Sequence, residues 1–242
     1  MNQRQIEFGT DGIRGKAGTE LSPTLIIKLG YLIGQTLTKS GPILIGNDSR
    51  RSNSMIVSAL TAGLNSAGRE VWKLGLCPTP AVSILIKQFD AAGGVMVSAS
   101  HNPPEDNGIK VFDEKGLKIN SKSQNLISSN IKNVSTDNLF PTIQNNYGSS
   151  YYRRELLKHY RDGLIESAKE KNLVDVSIVL DLCWGSATAF GEEIFKELGA
   201  NVKVINHQPN GDLINVNCGS TNTEQLKKKV YITFHHLKII RF

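Results

Sequence analysis

Residues 94–112 read GVMVSASHNPPEDNGIKVF. An apolar run at Val95–Val97 ends in Ser98, Ser100 and His101, and two prolines later the chain returns to apolar alternation at Gly108. A serine oxygen can carry an acyl or a phosphoryl group. Two other stretches help to choose between them. FGTDGIRG (Phe8–Gly15) is a glycine-framed turn presenting Thr10, Asp11 and Arg14. IGNDSRRS (Ile45–Ser52) ends an apolar run with Asp48, Arg50 and Arg51. Backbone N–H groups and guanidinium forks of this kind suit phosphate. With Lys110 just beyond the loop, they point to phosphoryl more than acyl chemistry. Taken singly, these serines and His101 would read as ordinary polar loop residues. A hydrolase pairing Ser100 with His101 is disfavoured, because adjacent side chains project apart. No G-x-S-x-G, G-x-x-x-x-G-K-[ST] or post-strand G-x-G-x-x-G is present, and His235-His236 lacks the i, i+4 spacing of a metal pair.

The elements that must place these residues alternate between helix and strand. Ser22 can cap a helix with Pro23 at its first position, and Leu25, Leu29, Leu32 and Ile33 then share one face. PILIG (Pro42–Gly46) reads as a buried strand. A helix follows from about Asn53 to Ala67, stopped by Gly68. EVWKLG (Glu70–Gly75) is the next strand, Thr79–Gln88 a third helix, and GVMV the strand that leads into the serine loop. Crossovers of this length imply a mixed, largely parallel α/β sheet flanked by helices. They place the loop at a strand's C-terminal end, where open α/β sheets hold their sites. Asn107-Gly108 reads as a turn. Beyond it, Lys110 and Phe112 face one way and Ile109 and Val111 the other. Residues 120–150 read as a helix and then a loop, and Tyr151–Asn172 as one long amphipathic helix with Leu156, Tyr160 and Leu164 in line. VSIVLDLCWGSA (Val176–Ala187), a helix to Leu198 and NVKVIN (Asn201–Asn206) open a second α/β unit. The expected organisation is a first domain over residues 1–150, a connecting helix over 151–172 and an incomplete second domain over 173–230.

Composition excludes several classes. The chain of 242 residues is 39% hydrophobic and 21% charged, with no apolar run long enough for a membrane span and no signal peptide at its start. Five of the six net positive charges belong to residues 225–242 (Lys227, Lys228, Lys229, Lys238 and Arg241), so the body is nearly neutral and no nucleic-acid partner is expected. Cys77, Cys183 and Cys218 are far apart in sequence, which argues against a disulfide framework and for a reducing, cytoplasmic setting.

These residues resemble an α-D-phosphohexomutase. VSASHNPPEDNGIKVF resembles the family's phosphoserine loop, and FGTDGIRG the N-terminal signature of its phosphoglucosamine mutase branch. IGNDSRRS, GLCPTPAV (Gly75–Val82) and LDLCWGSA also resemble family segments, and the likeness runs over about residues 4–226. The resemblance implies that Ser100, directly before His-Asn-Pro, is the phosphorylated serine, with Ser98 the lesser candidate. It implies catalytic roles for Ser100, His101, Lys110 and Arg14, and phosphate or substrate binding by Thr10, Arg14, Arg50 and Asn102. It also implies a phosphosugar substrate, and a Mg²⁺ ion held in part through the Ser100 phosphate. The implied reaction interconverts glucosamine 6-phosphate and glucosamine 1-phosphate through a bisphosphate intermediate. Glucose or mannose phosphate specificity is the alternative, as is a non-catalytic phosphosugar-binding role.

The sequence departs from the family in one stretch. The family's D-x-D-x-D-R metal run is absent, CGSTNTEQLKKKV (Cys218–Val230) resembles the segment upstream of it, and YITFHHLKIIRF (residues 231–242) resembles nothing in the family. The family's third and fourth domains have no counterpart here. The expectation is therefore a chain about half the length of a mutase, inactive or nearly so by itself because its metal carboxylates are missing.

Overall fold

A computed structural model of the chain describes residues 8, 9, 12–131 and 146–233. Its central feature is a six-stranded sheet built from β1 (Ile13–Lys16), β2 (Ile43–Asn47), β3 (Val71–Leu76), β4 (Gly93–Val97), β5 (Asp106–Phe112) and β6 (Ser150–Tyr152). Their order across the sheet is β1-β5-β4-β2-β3-β6. The β2–β3, β2–β4 and β3–β6 pairs are parallel, and β5 runs antiparallel to both β4 and β1. The expected mixed α/β sheet is thus present. Its helices are α1 (Pro23–Thr36), α2 (Asn53–Ser66), α3 (Thr79–Gln88), α4 (Ser121–Asn130) and α5 (Leu157–Ala168).

The two faces have separate cores. Ile43, Ile45, Val71, Val95, Val97, Ile109 and Val111 pack with Ile26, Leu29, Ile33, Ile56, Leu60 and Leu64 of α1 and α2, and with Ile127 of α4. Leu44, Leu74 and Met96 pack on the opposite face with Val82, Leu85 and Ile86 of α3 and Leu157 and Tyr160 of α5. Alternation along β2 (Ile43, Leu44, Ile45) feeds both cores, as period-2 geometry demands. Ser22 caps α1, its hydroxyl accepting from Leu25 N–H at 3.4 Å, with Pro23 at the first position. The α1–α2 crossing depends on glycine: a Cβ on Gly30 would lie 2.5 Å from the Leu60 carbonyl oxygen, and one on Gly63 2.1 Å from that of Ile27.

Two expectations are corrected. Asn107-Gly108 is no turn; both residues lie inside β5, and Asn107 is fully buried. Its amide donates to Ser52 Oγ and Asn53 Oδ1, so the side chain that would close a turn is held by buried partners instead. Tyr151 and Tyr152 do not start a helix. They pair with Trp72 and Lys73 as the edge strand β6, a 3₁₀ turn covers Arg154–Leu156, and the helix begins at Leu157. Edge placement suits an aromatic pair that can lie half out of the sheet. The sheet therefore reaches past residue 150, and Leu156, Leu157 and Tyr160 bury α5 against its core. The expected loop after α4 lies largely outside the described residues, as do residues 234–242; residues 231–233 continue α7 (Glu224–Thr233).

The second unit holds β7 (Ser177–Asp181) and β8 (Asn201–Ile205), a parallel pair in a sheet of their own. Helix α6 (Gly191–Glu197) connects them and Gly199, at φ +95°, ends it. Helix α7 packs on β7. Among the described residues no helix is long and apolar enough to cross a membrane.

Candidate active site

Ser100 stands exposed at the end of β4, with φ +57°. A left-handed serine costs on the order of 1–3 kcal/mol unless its surroundings enforce it. Three contacts do. Its N–H donates to Ser98 Oγ at 3.0 Å. Its carbonyl accepts from Arg50 Nη2 at 3.1 Å and from Asn215 Nδ2 at 2.8 Å. Ser98 itself is buried and serves the loop's shape.

Arg50 departs from the sequence expectation. Its side chain is buried and pairs with Asp48 through Nε at 3.1 Å. Its remaining N–H groups reach the carbonyls of Ser100, Asn102, Pro103 and Asp106. The guanidinium is thus the internal brace of the serine loop, with no N–H left to grip a phosphate. Asp48 is fixed in turn, accepting from Arg50 N–H at 3.0 Å and Asn53 Nδ2 at 2.7 Å.

Arg14 comes from β1, opposite Gly108 of β5. A Cβ on Gly108 would meet Arg14 Cγ at 3.2 Å, so Arg14 lies over that glycine. Lys110, two residues on, projects from the same face. Arg14 Nη1 donates to Asn102 Oδ1 at 3.0 Å, and Asn102 Nδ2 donates to Asp106 Oδ2 at 2.9 Å. Asn102 therefore links Arg14 to the loop's far side, and its amide is engaged at both ends. The half-buried Lys110 has no hydrogen-bond or ion-pair partner among the described residues, so its ammonium is available to an incoming anion. His101 is exposed beside Ser100. Gly9 and Gly12 exchange backbone hydrogen bonds at 3.0 and 3.2 Å and close the turn before Arg14. Thr10 lies outside the described residues.

Sequence reasoning missed the contribution of the second unit. Asn215 Nδ2 also donates to the Asn102 carbonyl at 3.0 Å, so Arg50 and Asn215 hold the same two loop carbonyls from different units. Ser49 Oγ donates to the Trp184 carbonyl at 2.7 Å, and Arg51 pairs with Asp212 at 2.5 Å. Asp181, at the end of β7, organises the turns that carry these groups by accepting from Cys183 N–H, Asn206 Nδ2 and Gly219 N–H at 2.9–3.0 Å. The available signal was a strand ending in Asp, followed further on by the asparagine-rich stretch Asn210–Gly219. Burial and then the Asp181 carboxylate push the Cys183 thiol up to about 12, and burial raises Cys218.

Three comparisons bear on this arrangement. A family model described as phosphoglucomutase/phosphomannomutase, alpha/beta/alpha domain I, matches residues 5–138. The chain belongs to the phosphoglucomutase/phosphomannomutase family. It is 56% identical over 231 residues to a phosphoglucosamine mutase of Prochlorococcus marinus (strain MIT 9303), covering 95% of this chain and 49% of that protein. It is 53% identical over 223 residues to a phosphoglucosamine mutase of Parasynechococcus marenigrum (strain WH8102), covering 92% and 47%. The chain spans about half the length of the curated relatives it matches. A putative phosphomannomutase of Thermus thermophilus superposes with a TM-score of 0.73 at 25% identity, over 96% of this chain and 51% of that one. An Aspergillus fumigatus N-acetylphosphoglucosamine mutase, solved with GlcNAc-6P and magnesium, shares the fold at a TM-score of 0.52 and 16% identity, over 93% and 46%.

The implied Mg²⁺ ion finds no donor set among the described residues. Among the described residues no group of three or more His, Cys, Asp or Glu side chains is placed to hold a metal. Asp181, the acid at a strand end of the second unit, already accepts three hydrogen bonds.

Proposed function

We propose that this chain is the phosphoserine-bearing portion of a phosphohexomutase that interconverts glucosamine 6-phosphate and glucosamine 1-phosphate. The observation that carries the reading is Ser100: an exposed hydroxyl on a left-handed residue that is braced by Arg50 and Asn215. The relatives at 53–56% identity support glucosamine over glucose or mannose phosphate.

In this reading Ser100 Oγ carries the phosphoryl group, a charge of about −1.5 to −2. The Oγ–P bond breaks as a sugar hydroxyl oxygen bonds to phosphorus, and the hydroxyl's proton passes to the Ser100 Oγ released, leaving a bisphosphate. Ser100 Oγ then bonds to the phosphorus of the sugar's other phosphate as that O–P bond breaks, and the serine proton passes to the sugar oxygen set free. Phosphoryl transfer asks a protein mainly to position and to neutralise. The braced loop positions, Arg14 and Lys110 neutralise, and His101 orients the group in transit. Magnesium, when bound, supplies further charge to the transferring phosphoryl; no residue here is assigned to it beyond the phosphorylated Ser100. The setting proposed is cytoplasmic, in keeping with three free thiols.

The test is intact-mass analysis after incubation with glucose 1,6-bisphosphate and magnesium. One adduct of about 80 Da, a single phosphate ester, is expected. It should vanish in Ser100→Ala. An unmodified wild-type chain would overturn the transfer role. The engagement of Asp181 by three N–H donors favours one second reading, a phosphosugar-binding role without turnover. Calorimetric binding of glucosamine 6-phosphate with no adduct would favour that reading.

A further inference from the structure

A cavity of about 630 Å³ lies between α2 and the sheet edge at β3 and β6, and Asp48 and Arg50, which brace the serine loop from beneath, form part of its lining. Lys73 reaches it from β3, two residues past Val71, which packs against α1 and α2. Lys110 precedes by two residues Phe112, which packs in the opposite core. The cavity and the Arg14–Lys110 pair therefore occupy opposite faces of the sheet.

Its lining is cationic and rich in unused donors. Lys73 Nζ sits 4.2 Å from the centre of the Tyr152 ring, and the Arg154 guanidinium 5.3 Å from it. Neither cation has a carboxylate partner among the described residues. Arg51 at the rim is paired to Asp212, so it leaves the excess charge of Lys73 and Arg154 unchanged. Ser54 and Ser58, one turn apart on α2, line the facing wall, and their hydroxyls make no hydrogen bond with the described residues. Two cations on one aromatic ring repel each other and call for an anion between them. The volume exceeds that of a phosphate and falls in the range of small-molecule sites. Free serine hydroxyls suit the hydroxyl groups of the remainder.

We propose that this cavity is a second ligand site, one that takes a phosphate monoester of a polyhydroxylated compound on the sheet face opposite Arg14 and Lys110. Lys73 and Arg154 hold the phosphate, Ser54 and Ser58 the hydroxyls, and Tyr152 offers the flat wall.

The experiment is calorimetric titration of the Ser100→Ala chain with glucose 6-phosphate, glycerol phosphate and inorganic phosphate. Adding Lys73→Met with Arg154→Met should weaken glucose 6-phosphate binding by about tenfold or more, since the loss of even one charge-assisted hydrogen bond is worth that much. A thermal melt checks that this variant folds. In the unsubstituted chain, backbone amide shifts at Ser54, Ser58 and Lys73 on addition of glucose 6-phosphate are expected. Their absence would overturn the site whatever the variants do. Inorganic phosphate binding as tightly as glucose 6-phosphate would overturn the polyhydroxylated ligand, and equal binding by glycerol phosphate would reduce it to any phosphate ester. Loss of the Ser100 adduct would refute the mutase reading and leave this site standing.

Discussion

Strands β4 and β7 both feed turns of the candidate site, yet they are built differently. Every residue of β4 is buried, and its neighbours β2 and β5 lie on either side. Every residue of β7 is only partly covered, and β8 is its sole sheet partner among the described residues. A two-stranded sheet is marginal without further packing. The second unit obtains that packing from its helices and from its grip on the first, through Asn215, Ser49–Trp184 and Arg51–Asp212. Rigidity sits where the serine is presented. The second unit adds a clamp that depends on docking.

The largest way to break this contrast is Arg50→Ala. It removes the buried partner of Asp48 and the brace on four loop carbonyls, so a loss of about 3–5 kcal/mol is expected in urea denaturation. Fast amide exchange over residues 98–106 should accompany it. A loss under about 1 kcal/mol would show that the loop holds its own shape.

Core truncation sharpens the comparison next. Leu44→Ala, at a fully buried site in β2, should cost about 2–5 kcal/mol. Val179→Ala in the half-covered β7 should cost clearly less. Hydrogen exchange on the unsubstituted chain should show the same order, with β7 and β8 opening before β4 and β5. Equal protection would make the two units one cooperative block.

A smaller effect is expected for Asn215→Ala. Two hydrogen bonds to carbonyls that Arg50 still serves are lost, worth about 1 kcal/mol. The expected outcome is faster exchange at the serine loop with the six-stranded sheet unchanged. No change at the loop would mean that the clamp is passive.

Alkaline pH gives the mildest test. Burial pushes the Cys77 thiol up to about 12, and Cys183 likewise rises to about 12. Unfolded thiols ionise from about pH 8.5. The unfolded chain therefore releases protons that the folded chain keeps, and the stability these thiols contribute is full below that pH and lost as pH climbs toward 12. The denaturation midpoint should fall over that window. Cys77→Ala should flatten the decline in the first unit and Cys183→Ala in the second.

Much of the scaffold was legible before the structure. The Ser22-Pro23 start of α1, the bounds of α3 and the α6–Gly199–β8 succession follow from capping and periodicity, which are local. The reach of β6 was not legible, because Tyr-Tyr-Arg-Arg fits a helix until β3 offers it an edge to pair with. At the site, the sequence named Ser100, Arg14 and Lys110 and assigned Arg50 to phosphate. An arginine in a phosphate-like motif looks the same in sequence whether it faces solvent or is buried among carbonyls.

By itself the sequence determined the serine loop, the cations that attend it and the alternating elements that carry it, because each is written in neighbouring residues. Only the tertiary structure decided that Arg50 is a brace, that Asn107 is buried in a strand and that Asn215 reaches back to residue 100. Those contacts join residues 50 to 115 positions apart in the chain. A hydrogen bond of that span exists only once packing has brought both ends together.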